Sequence, residues 1–146
     1  MFKRILLPVD GSEQSLRAAS IGIEMAAHHG AEAVGLEVLA PLASVTWVAD
    51  FILHSRENHA NHAIKRARNH LALIAAIASK TSVRFEDGYI FDRRPYTAIV
   101  ATADLAGCDL IVIGAGEYAH GDSQVKLSHE MARLLGNTGV PVLVCH

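Results

Sequence analysis

Short, almost wholly apolar runs alternate with longer amphipathic stretches along this entire chain, and that alternation constrains the fold more than any other feature. "RILLPV" (Arg4–Val9) is a near-continuous apolar run, as expected of a parallel strand covered on both faces. Asp10, Gly11 and Ser12 end it, and Ser12 is placed to cap a following helix whose Leu16, Ala19, Ile23 and Ala26 recur at helical spacing. His28, His29 and Gly30 close that helix, with the imidazoles near the negative end of its dipole. A second strand is expected over Ala33–Leu39, with a break at Pro41. Residues 42–50, with Trp47, carry no clear period, and Trp47 reads equally as an interface anchor or a lid on the core.

A long helix is predicted from about Phe51 to about Ser79. Ala60, Ile64, Ala67, Leu71, Ile74 and Ala78 form its apolar stripe, and Arg56, Lys65, Arg66 and Arg68 its polar face. "SVRFED" (Ser82–Asp87) alternates like a strand, with Gly88 expected to turn the chain. Pro95 opens a helix carrying Tyr96, Ile99, Ala103 and Ala106 on one side. Cys108–Gly114 is the clearest central strand, a helix with Met131, Leu134 and Leu135 follows and ends at "GNTG", and Val140–Cys145 is the last strand. The sum is a single α/β domain over residues 1–146. Right-handed crossovers make it a doubly wound five-stranded parallel sheet, Rossmann-like, with helices on both faces.

In such sheets ligands sit beyond the carboxyl ends of the strands, where the winding reverses. The junctions "PVDGS" and "IGAG" are the glycine-marked ones, so a crevice is predicted between them. The second opens the stretch "VIGAGEYAHGDSQVKLSHE" (Val112–Glu130), a strand emptying into a glycine-bearing loop and then a helix. That is the layout of a phosphate cradle, in which backbone N–H groups and a helix N-terminus hold an anion. Glu117, however, carries a negative charge where a phosphate would arrive.

Composition narrows the remaining classes. The chain is 51% apolar with a net charge of −2, so no basic field points to nucleic acid and no basic run to a membrane surface. The apolar run after Lys3 and Arg4 is too short for a signal peptide, and no segment approaches the roughly 18 residues of a transmembrane helix. Cys108 and Cys145 read as small hydrophobes in a reducing compartment, so a cytoplasmic location is expected. His59 and His62 stand three apart on the long helix, with His54 and His70 on either side. They lack an acidic partner at a matching step and read as a solvated face, not as a metal site. Ser128 and His129 are adjacent and do not face each other on a helix, so Ser128 reads as a cap. Asp10 reads first as a cap on the backbone N–H groups of its turn. No catalytic constellation assembles.

"KRILLPVDGSEQS", "CDLIVIGAG" and "GVPVLVC", in this order and at this spacing, resemble the universal stress protein family over essentially the whole chain. That family divides into members that hold ATP and members that do not. The resemblance implies that Asp10 lies near base and ribose and that the backbone of Val38 meets adenine, with Glu37 where many relatives carry His. It further implies a phosphate loop of the pattern Gly-x2-Gly-x9-Gly-Ser/Thr. Counted from Gly114, the chain has Glu117 and Leu127 in place of the second and third glycines and retains Ser128. Leu127 removes the bare backbone that a phosphate must approach, and Glu117 adds like charge. Gly116 and Gly121 supply freedom in another register, and Lys126 has the reach to meet a phosphate.

The leading expectation is therefore a non-catalytic, dimeric stress-response module with a degenerate nucleotide loop and weak or absent nucleotide binding. No resident cofactor or metal is expected, and the protein partner is undefined. The resemblance implies homodimers through Val140–Cys145, an apolar edge strand that self-pairing would cover. The alternative is an ATP-binding switch with slow ATPase activity, using Asp10, Val38, Gly114, Gly116, Lys126 and Ser128.

Overall fold

Apolar residues from Ile5 to Val9 that alternate in direction, with Arg4 the charged residue at the strand's start, commit Arg4–Val9 (β1) to the centre of a sheet. Ile5 and Leu7 point to one face and Leu6 to the other, and all three are fully buried. The computed structural model describes residues 1–41, 49–115 and 129–146. The elements after β1 are α1 (Glu13–His29), β2 (Glu32–Leu39), α2 (Ala49–Ala78), β3 (Phe85–Phe91), α3 (Pro95–Ala106), β4 (Leu110–Gly114), α4 (His129–Asn137) and β5 (Val142–Cys145). All pairings are parallel, and the strand order is β3-β2-β1-β4-β5.

The chain winds outward from β1 to β3. It then crosses back to lay β4 against the free side of β1 and ends at β5. Right-handed crossovers require opposite faces for the two directions of winding. Accordingly α1 and α2 pack with Ile5, Leu7, Val9 and Val112, while α3 and α4 pack with Leu6, Leu36 and Ile111. The expected doubly wound sheet is the one observed, and the reversal falls between β1 and β4.

Local signals act as read. The Ser12 side chain accepts from the Ser15 N–H at 3.2 Å and caps α1, and Gly30 ends it in a left-handed conformation, φ 64°. Pro95 stands in the first turn of α3. Ala63, Ala67, Leu71, Ile74 and Ala78 form the buried stripe of α2, while Lys65, Arg66, Arg68, His59 and His62 are exposed. Trp47 lies outside the described residues.

Two expectations need correction. Gly88 does not turn the chain: it pairs with Leu36 in the middle of β3, which begins at Phe85 and runs four residues beyond Asp87. The actual turn is at 92–94, where the Asp92 carboxylate accepts from the Arg94 N–H at 2.7 Å. His70 does not belong to a solvated face either, as described below.

Among the described residues, no helix is long and apolar enough to cross a membrane. Cys108 is a buried free thiol and Cys145 a half-buried one. Burial raises the pKa of both.

Candidate functional site

The reversal opens a crevice of about 200 Å³ on the α3/α4 face, at the carboxyl ends of the central strands. Its floor is Pro8, Leu36, Val38 and Ile113, and its walls are Tyr96 and Ile99 of α3 and Met131 and Leu134 of α4. Asp10, Ser15 and Gly114 border it. Strand alternation places Val38 here: Leu36 and Val38 face α3 and α4, and Glu37 faces α2. Arg133 of α4 stacks over the ring of Tyr96, with its guanidinium carbon 5.5 Å from the ring centroid.

The Asp10–Gly11–Ser12 turn is built by short-range hydrogen bonds. The Asp10 carboxylate accepts from the Ser12 N–H at 2.9 Å, an Asx turn. The Ser15 hydroxyl accepts from the Asp10 N–H at 3.3 Å and donates to the Ser12 carbonyl at 2.9 Å. Enclosure of the Asp10 carboxyl in the turn raises its pKa, but hydrogen bonds from Ser12, Ser15 and the local backbone outweigh this and hold it below the ordinary carboxylate value. Asp10 is thus both the turn's own cap and an ionised group on the border of the crevice.

Gly114 has a packing reason to lack a side chain. A Cβ there would come within 2.6–2.8 Å of the backbone at Gln14 and Ser15, so the end of β4 is pressed against the first turn of α1. This close approach brings the two glycine-marked junctions together.

On the other side of β2, Glu37 is buried, 5% exposed, and His70 of α2 meets it. The Nδ1 atom of His70 lies 2.9 and 3.2 Å from the two Glu37 carboxylate oxygens. The His70 ring also lies against Gly11, in the space where a Cβ would stand. Gly11 itself is left-handed, φ 82°. Sequence reasoning placed His70 on a polar face because its partner comes from another strand, not from a helical step. The available signal was the carboxylate in the otherwise apolar run "AVGLEVL".

Of the predicted site residues, Asp10, Val38 and Gly114 converge on the crevice. Gly116, Lys126 and Ser128 lie outside the described residues, as do Glu117, Gly121 and Leu127. Tyr96, Met131 and Leu134, read from sequence only as apolar stripes, also form its walls. Among the described residues no group of three His, Cys, Asp or Glu side chains gathers where it could hold a metal ion.

The universal stress protein family profile matches residues 1–146. The chain belongs to that family. A Thermus aquaticus relative, "Universal stress protein in QAH/OAS sulfhydrylase 3'region", is 34% identical over 115 residues, covering 78% of this chain and 77% of that protein. Among solved structures, this universal stress protein is similar to UspA from Lactobacillus plantarum, with TM-score 0.76 and 23% identity over 99% of this chain and 97% of the other. It is also similar to the universal stress protein from Archaeoglobus fulgidus in complex with dAMP, with TM-score 0.65 and 21% identity over 100% and 98% of the two chains.

Proposed function

We propose that this universal stress protein acts as a cytoplasmic, non-catalytic, dimeric stress-response module whose crevice binds nucleotides weakly or not at all. The observation that carries this reading is the character of the crevice. Its floor and walls are mostly apolar around an open volume of about 200 Å³, and the charged residue on its described border is an acid, Asp10. A triphosphate needs bare backbone and positive charge at this mouth. The sequence offers Glu117 and Leu127 where the family pattern has glycines.

The dimer reading rests on β5. It forms one edge of the sheet, pairs with β4 alone among the described strands, and leaves Leu143 37% exposed. Val144→Pro should give monomer or insoluble chain by light scattering. An unchanged soluble dimer rules out this interface.

A second reading, an ATP-binding switch, is favoured by the Archaeoglobus fulgidus relative solved in complex with dAMP and by the survival of Asp10 and Val38 at the crevice. Titration calorimetry with ATP and Mg²⁺, then with dAMP, separates the two readings. Absence of heat at millimolar ATP supports the module. A micromolar constant that Asp10→Ala abolishes replaces it with the switch.

A further inference from the structure

A carboxylate buried in a strand is costly, and apolar side chains of similar volume in place of both Glu37 and its imidazole partner would commonly be as stable or more so. What the Glu37–His70 pair contributes must therefore be sought in what it touches. Glu37 is the parallel partner of Val9, the residue immediately before Asp10. His70, fixed at Nδ1 by both carboxylate oxygens, lays its ring on the open side of Gly11. Gly11 holds a left-handed φ between the carboxylate that borders the crevice and the serine N–H that this carboxylate accepts from. A short turn containing glycine has many accessible conformations, and a flat ring packed on one side of it removes most of them.

We infer that Glu37 and His70 are positioning residues for the crevice. From the opposite face of the sheet they fix the Asp10–Gly11–Ser12 turn and hence the direction of the Asp10 carboxylate. This rests on the reading of the crevice as the ligand site. The mechanical claim, that the pair sets the turn, can be read without any ligand.

Amide hydrogen exchange at Ser12 and NMR titration of the Asp10 carboxyl, in the native protein and in two variants, test it. In His70→Phe, which has a ring but no donor for Glu37, the Ser12 amide should exchange about tenfold faster. The Asp10 carboxyl should then titrate closer to its ordinary value, while β4 amides stay as in the native protein. Glu37→Gln retains an oxygen to accept from Nδ1–H and should restore native behaviour at both reporters. A His70→Phe protein with native Ser12 exchange and native Asp10 titration overturns the inference. Failure of the native protein to bind dAMP would count against the crevice as a nucleotide site while leaving these readouts to decide the role of the pair.

Discussion

The two ends of the sheet handle charge in opposite ways. At the amino ends of the strands, Arg4 donates to Glu32 at 3.0 Å and to Glu86 at 2.6 Å, and Arg84 reaches the same two carboxylates at 3.2 and 3.4 Å. These side chains are 27–71% exposed, so water and salt screen the network. Asp109 ties the end together by accepting from the N–H groups of Lys3 and Arg4. At the carboxyl ends, Glu37 is withdrawn from water onto a single imidazole, and Asp10 is held by the hydrogen bonds of its own turn. One end joins three strands with many weak, replaceable contacts. The other spends few contacts on fixing particular atoms beside a crevice, where a displacement would change what can bind.

The comparison breaks most visibly at Gly114, where the fixing is steric. Gly114→Ala places a methyl group within 2.6–2.8 Å of the Gln14 and Ser15 backbone, which cannot yield as a flexible side chain would. The first turn of α1 must move, and a loss of about 3 kcal/mol in urea unfolding is expected. At Gly136, at the far end of α4, a Cβ meets nothing within 4 Å, so Gly136→Ala is the matched control. A Gly114→Ala chain as stable as the control would remove the claim that close packing joins the two junctions.

How much of this was legible in sequence follows from the range of each interaction. Ser12, Gly30 and Pro95 act on backbone within four residues, so their type alone announced the helix ends. The runs at Arg4–Val9 and Cys108–Gly114 announced central strands because burial on both faces favours unbroken apolar side chains, and the second strand begins at Leu110, two residues later than expected. Gly88 misled because a glycine beside acidic residues is a turn signal, whereas here backbone pairing with β2 continues through it. The Glu37–His70 pair spans 33 residues and two elements, and helical spacing cannot reveal such a contact. Asp10 was readable as a cap from its own turn. Its place on the crevice was also expected, from the glycine-marked junction it stands in and from the family resemblance, and the winding reversal that sets β4 beside β1 supplies the physical reason.

Asp10 sharpens the contrast at intermediate magnitude. Asp10→Ala removes the acceptor for the Ser12 N–H, and because the residue reaches solvent the loss at neutral pH should stay near or below about 1 kcal/mol. The sign of its pH dependence is fixed. The folded carboxyl titrates below its ordinary value of 3.8, so its charge stabilises the fold above that pH, and the contribution disappears as pH falls through the folded value. The gap between native and Asp10→Ala proteins in urea melts should therefore be constant from pH 5 to 7 and narrow below about pH 4. A gap that widens on acidification would mean that the carboxyl is raised in the fold, contrary to the turn's hydrogen bonds.

The smallest effect belongs to the amino end. Arg84 has two carboxylate partners and a side chain that is 71% exposed, and Arg4 also serves both of those carboxylates. Arg84→Ala should consequently cost under about 0.5 kcal/mol, and that cost should vanish in molar salt. A salt-independent loss above 1 kcal/mol would show that the network fixes β3 by geometry, as the pair at the other end is inferred to fix its turn. The distinction between the two ends would then lie in burial alone. With a small, screened cost, the amino end is a joint that tolerates substitution, and the demands on exact placement concentrate where the sheet reverses.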